Sequence, residues 1–205
     1  MPDESEGFSL PIGSEKLWLL FPGTKHNLDI LRKAEGQKEK LARVGRYLEG
    51  GLIINTTSSH AIYIPVGSIH SVLTKKGGFL ITIDFIAPTS AKTYSALLTA
   101  GLDRSECRRY QKIYFDKFLS SVELALDNNR ESMGIDSWVK SIDRVQEWAG
   151  RNPAWSRKAT KMWSRVLENP ELKNFICPCG EPGQSQSFPE HFKCHYIFER
   201  SDHHR

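Results

Sequence analysis

No apolar run in this 205-residue chain approaches the roughly 18 residues that a membrane-spanning helix requires. The opening MPDESEGFSLPIG is acidic and polar, without the basic start and apolar stretch of a signal or transit peptide. These absences point to a soluble intracellular protein, nuclear or cytoplasmic. Charge of one sign is also scarce: 28 Lys and Arg stand against 24 Asp and Glu, interleaved along the chain, for a net charge of +4. Without a basic stripe, nucleic acid is disfavoured as a partner and a protein partner stays open. Hydrophobic residues make up 39%, somewhat low for a globular protein, so one modest core is expected, and no internal repeat is evident. Cysteine is sparse and unevenly placed. Of four, Cys177, Cys179 and Cys194 crowd the C-terminal stretch beside His191 and His195. In a chain with no mark of secretion, that clustering points to metal ligation and not to a disulfide framework. Cys107, in ECRRYQK, reads as a semi-buried helix residue.

What is present divides the chain. Residues 1–15, rich in Glu, Ser, Gly and Pro, read as a disordered or truncated leader. KLWLLF, from Lys16 to Phe21, is a short apolar and aromatic run stopped by Pro22 and Gly23, hence a buried strand. Over 27–49, Leu28, Leu31, Leu41, Val44 and Leu48 recur at helical spacing around a break at Gly36, which predicts an exposed helical insertion with Asn27 as N-cap. GLIINT, HAIYIP, IHSVLT and GFLITIDFI are β-branched runs separated by turn residues, which predicts four strands of an antiparallel sheet within 51–86. A helical domain is expected over 90–170. Its apolar stripes run through Phe115, Phe118 and Val122, then Ile135, Trp138 and Val145, then Trp155, Met162 and Trp163, and such stripes are the mark of helix packing.

The segment richest in chemical meaning is IYIPVGSIHSV. Pro65 and Gly67 form a turn, so His70 enters the next strand near its start, and period-two alternation turns the imidazole to one face. A single His on an apolar strand is most often a core or edge residue, and context must give it a further role.

That context is a resemblance to the JmjC domains, Fe(II)- and 2-oxoglutarate-dependent dioxygenases on a cupin-like double-stranded β-helix. GSEKLWLLFPG resembles the family's K-x-W-x-x-x-P strand, with Lys16, Trp18 and Pro22 in register. IYIPVGSIH is similar to its P-x-G-x-x-H turn, and GGFLITIDF to its closing strand. The ordered set covers about residues 13–86 and is most similar to short fungal JmjC-domain proteins. The resemblance implies a partial double-stranded β-helix over 16–88 in an α+β chain. It also implies that Lys16 binds the distal carboxylate of 2-oxoglutarate and that His70 is the third iron ligand, in a protein or histone hydroxylase or demethylase.

The departure from that pattern matters equally. Such oxygenases hold iron by two His and one carboxylate, and JmjC enzymes supply the other two ligands as an H-x-D/E pair ahead of the lysine. No His-x-Asp or His-x-Glu occurs anywhere in this chain. His26 and Asp29 are poor substitutes, because TKHNLDIL reads as a loop entering a helix. A cupin roll needs about eight strands, and about five can be read here. Either the first half of the roll is absent from this sequence, or helices and a partner cap the open edges. The rival class is a non-catalytic interaction module, of the kind that associates with chromatin.

The tail over 175–198 places Cys177 and Cys179 before a Gly/Pro/Ser loop, then Phe188, His191 and His195. Its F-x-x-H-x-x-x-H half resembles the helix of a two-Cys, two-His zinc finger, with Cys177, Cys179, His191 and His195 as the expected zinc ligands and Cys194 as the spare. The first pair is C-x-C where a finger has C-x-x-C, and Pro189 sits where the helix would begin. A flexible tail of incidental Cys and His is the bland reading. A DNA-binding zinc-finger protein rests on this tail alone.

Overall fold

The computed structural model describes residues 5–34, 37–101, 108–168, 176–177, 179–184 and 186–197. The chain is α+β. Six strands, β1 (Glu6–Ile12), β2 (Glu15–Phe21), β3 (Leu52–Thr56), β4 (Ile62–Ile64), β5 (Ile69–Lys76) and β6 (Phe79–Phe85), form two antiparallel three-stranded sheets. One has the order β4-β1-β6 and the other β3-β2-β5. Strands adjacent in sequence therefore change sheet at the β1–β2 corner, between β3 and β4, between β4 and β5, and at the β5–β6 corner. The four strands expected to share one sheet over 51–86 are instead divided between two, because β4 and β6 pair with β1, β3 and β5 pair with β2, and none of the four pairs with another of the four.

The segment read as a disordered leader contains β1, the central strand of its sheet. Gly7 and Ser9 on one face and Phe8, Leu10 and Ile12 on the other follow the strand period of two, but the Gly, Ser and Pro content disguises it. Pro11 lies beyond Gly7–Ser9, the part of β1 that β4 covers, where a missing backbone donor is tolerated.

The insertion after β2 is not an exposed excursion. Helix α1 (Lys25–Lys33) and the short α2 (Lys40–Val44), continued by a 3-10 turn at Gly45–Tyr47, bring Leu28, Leu31 and Leu48 into the main core. Gly36, the expected break, lies outside the described residues. The N-cap is Thr24, whose Oγ1 accepts from Asn27 N–H at 3.2 Å. Asn27 is buried and bridges two loop ends instead. Its Nδ2 donates to the carbonyls of Pro22 and Glu49, and its Oδ1 accepts from Glu49 N–H, each at 2.9 Å. One amide thereby closes the whole insertion at its base.

Helices α3 (Ser90–Thr99), α4 (Arg108–Asp127), α5 (Glu131–Lys140), α6 (Ile142–Arg151) and α7 (Pro153–Leu167) follow, with α8 (Phe188–Tyr196) packed against them. The start of α7 is set locally: Asn152 Oδ1 accepts from Trp155 N–H at 3.2 Å, and Pro153 occupies the first turn, where its absent donor costs nothing. The helical core is aromatic. Phe115 stacks on Trp148 with centroids 4.7 Å apart, Trp138 meets Trp163 edge-on at 5.2 Å, and Trp163 meets Phe192 of α8 at 4.9 Å. Phe21, Val66 and Ile69 carry this core onto the end of the β3-β2-β5 sheet, while Trp18, Ile62 and Ile64 form a second, smaller core between the two sheets. No helix among the described residues is long and apolar enough to cross a membrane.

Candidate functional site

His70 is placed by the turn that precedes it. Ser68 N–H donates to Pro65 O at 3.2 Å, and Gly67 at φ +80° occupies the third position, as a type II turn requires. The chain then enters β5, where register pairs His70 with Leu20, Val72 with Trp18 and Thr74 with Lys16. These alternate residues share the face of the sheet turned toward β1 and β6. The imidazole is half-buried, its ring centroid 6.0 Å from that of Trp18.

Lys16 lies on the same face and is buried, with its Nζ donating to Thr74 Oγ1 at 2.8 Å. Two residues on, Trp18 Nε1 donates to Thr56 Oγ1 at 2.8 Å, which fixes the indole inside the sandwich. The bond from Lys16 to Thr74 is charge-assisted on the donor side and gives the ammonium a partner inside the sandwich.

Between the sheets runs a cleft of about 280 Å³ lined by Ser5, Gly7, Ser9, Trp18, Ile64, His70, Val72, Leu80, Thr82 and Asp84. Lys16 is not among these residues; it lies further along the strand. The titratable lining groups are His70 from one sheet and Asp84 from the other. Sequence reasoning missed Asp84, although alternation in FLITIDF puts Leu80, Thr82 and Asp84 on one face, and a carboxylate inside a β-branched strand is the signal that could have found it.

These residues do not fit the iron that the family resemblance implies. Non-haem iron needs three protein donors on one face, and the cleft offers one imidazole and one carboxylate from opposite walls. Among the described residues, the one place where three His, Cys, Asp or Glu donors gather is elsewhere. His26 and Asp29 do not substitute: His26 Nε2 lies 3.3 Å from Tyr47 O, and Asp29 is held by Lys25 at 2.6 Å on the exposed side of α1.

That gathering consists of Cys177, Cys179 and His191, whose ligand atoms all lie within 4.8 Å of one another. Cys179 Sγ is 3.3 Å from Cys177 Sγ and 3.0 Å from His191 Nε2. His195 follows one helical turn after His191, with ring centroids 4.4 Å apart, while Cys194 is exposed and outside the group. Burial pushes the Cys177 thiol up from its ordinary value, and burial, with the neighbouring Cys177, pushes the Tyr196 phenol up to about 12. Pro189 is accommodated in the first turn of α8. Cys107 lies outside the described residues, as do Pro178 within the tail and the closing residues 198–205.

No protein-family model matches the chain, and no curated protein matches it.

Proposed function

We propose that this chain is a relative of the JmjC domains in which the β-sandwich serves binding and not oxidation. The winding order is the observation that carries the kinship. Sheet orders β6-β1-β4 and β5-β2-β3, with every pair of sequence neighbours except β2 and β3 split between the sheets, support a double-sheet jelly-roll winding to which one further strand would add outside β5 and one outside β6. Lys16, Trp18 and His70 share the inner face, in line with the motifs quoted above.

The donor set supports binding in place of oxidation. One imidazole facing one carboxylate across a cleft lacks the third ligand that would hold Fe(II) and leave positions open for a 2-oxo acid and dioxygen. Without that chelation, Lys16 and Thr74 alone anchor a carboxylate weakly. A protein partner fits the balanced charge and the outer face of the β4-β1-β6 sheet, where Phe8, Phe79, Ile81 and Ile83 are exposed.

Titration with Mn(II), a paramagnetic stand-in for Fe(II), tests this at the residue concerned. The His70 ring resonances should show no saturable broadening below millimolar ion. Saturable micromolar broadening, abolished by Asp84→Asn, would return the iron site and the oxygenase reading.

A further inference from the structure

The Cys/His group near the carboxyl end stands apart from the sandwich and does not depend on the JmjC kinship. Two segments meet there. The first is a tight turn: Gly180 N–H donates to Cys177 O at 2.7 Å with Gly180 at φ +98°, and Cys177 N–H donates to Glu181 O at 2.8 Å. An isolated antiparallel bridge between Ile176 and Pro182 fastens its arms. The second is α8, which presents His191 toward Cys179 and sinks Phe188 and Phe192 into the helical core.

We propose that Cys177, Cys179, His191 and His195 hold one zinc-class divalent ion that latches α8 to the helical core. The donor set is two sulfurs and two imidazoles, the soft and borderline combination that selects tetrahedral zinc. Metal–sulfur bonds of about 2.3 Å and metal–nitrogen bonds of about 2.0–2.1 Å separate tetrahedral donors by about 3.4–3.8 Å. The three gathered donors thus need to shift by only about half an ångström to about one ångström. His195, at i+4 from His191, is on the same helical face and completes the four by a side-chain rotation.

The latch has a consequence beyond the site. Phe192 lies against Trp163, and Trp138 Nε1 donates to Tyr196 O at 2.9 Å, so ordering α8 finishes the aromatic core. An ion that ties α8 to a turn only a few residues upstream shortens the chain that must be ordered to make those contacts.

The test uses the full chain, purified under reducing conditions and equilibrated with Zn(II) or Co(II). About one ion per chain is expected after gel filtration, and the cobalt form should show the intense visible bands of tetrahedral thiolate ligation. Cys179→Ser and His191→Ala, at sites that are not fully buried, should each lower affinity on the order of 100-fold. His195→Ala should lower it about 10-fold, and Cys194→Ser should leave it unchanged. Chelation should alter tryptophan emission while leaving helical circular dichroism largely in place. No bound ion, an octahedral cobalt spectrum, or full affinity in Cys179→Ser or His191→Ala would overturn the site, and full affinity in His195→Ala would overturn its place as fourth ligand. A chain that purifies with Cys177 and Cys179 oxidised to each other even under reductant would overturn it as well.

Discussion

Gly23 passes so close to Gly67 that a methyl group on Gly23 would lie 2.4 Å from the Gly67 carbonyl oxygen. The end of β2, which carries Lys16 and Trp18, is thereby packed backbone to backbone against the turn that delivers His70 into β5. Gly23→Ala must push that turn away, since the obstructing atom is main chain and cannot rotate aside. The expected cost is about 1–3 kcal/mol, read as a lower denaturant midpoint with unchanged slope, together with a shift of the His70 ring resonances. An unchanged midpoint would show that the close approach is not required.

Asn27→Ala removes three hydrogen bonds at once and leaves the Glu49 carbonyl and N–H without the partner they share, while the Pro22 carbonyl keeps the Thr24 N–H at 2.8 Å. Unsatisfied buried polar groups cost about 1–3 kcal/mol each, and solvent reaching part of the loop discounts the sum to an expected loss of about 2–4 kcal/mol by chemical denaturation. Hydrogen exchange should locate the opening in residues 25–49, and uniform exchange across the chain would contradict the view of Asn27 as a local closure.

The sequence showed the four strands within 51–86, the aromatic helical stripes and the Cys/His tail, because each depends on local periodicity or on residue types rare elsewhere. It hid β1, whose alternation is carried by Gly7, Ser9 and Pro11 on the inner face, residues that read as a loop by composition. It also hid the division into two sheets. Pairing of β1 with β6, from Glu6–Phe85 to Ile12–Phe79, is a contact between distant segments that no local pattern encodes. Asn27 looked like a cap because caps and buried bridging amides draw on the same residue type. Asp84 was overlooked for the same kind of reason, since its partner surface belongs to another sheet.

Acidification should act on the β2–β5 edge through Glu15. A hydrogen bond from Lys75, then one from Asn55, holds its carboxyl below the usual range. A depressed folded-state value means that its stabilisation is present above the unfolded carboxylate range and is lost as pH falls through the folded value. Glu15→Gln should therefore flatten the acid side of the stability profile slightly and leave neutral-pH stability nearly unchanged, because the pair is exposed and screened. A large loss at neutral pH would contradict this.

The outer face of the β4-β1-β6 sheet joins Phe8, Tyr63 and Phe85, whose rings lie 5.3–6.4 Å apart, to the exposed Ile81 and Ile83. Apolar faces of this kind associate. Light scattering should show concentration-dependent self-association of the purified chain, and Ile83→Lys should reduce it without lowering the thermal midpoint. Association unaffected by Ile83→Lys would place the contact elsewhere.

His70 and Lys16 share an interior face, with no iron-holding triad around them among the described residues, and 2-oxoglutarate turnover by the purified chain with Fe(II) and ascorbate puts that arrangement to the sharpest test. No sustained succinate is expected above a protein-free control, and the same result is expected for His70→Ala. Sustained succinate formation that His70→Ala abolishes would contradict it.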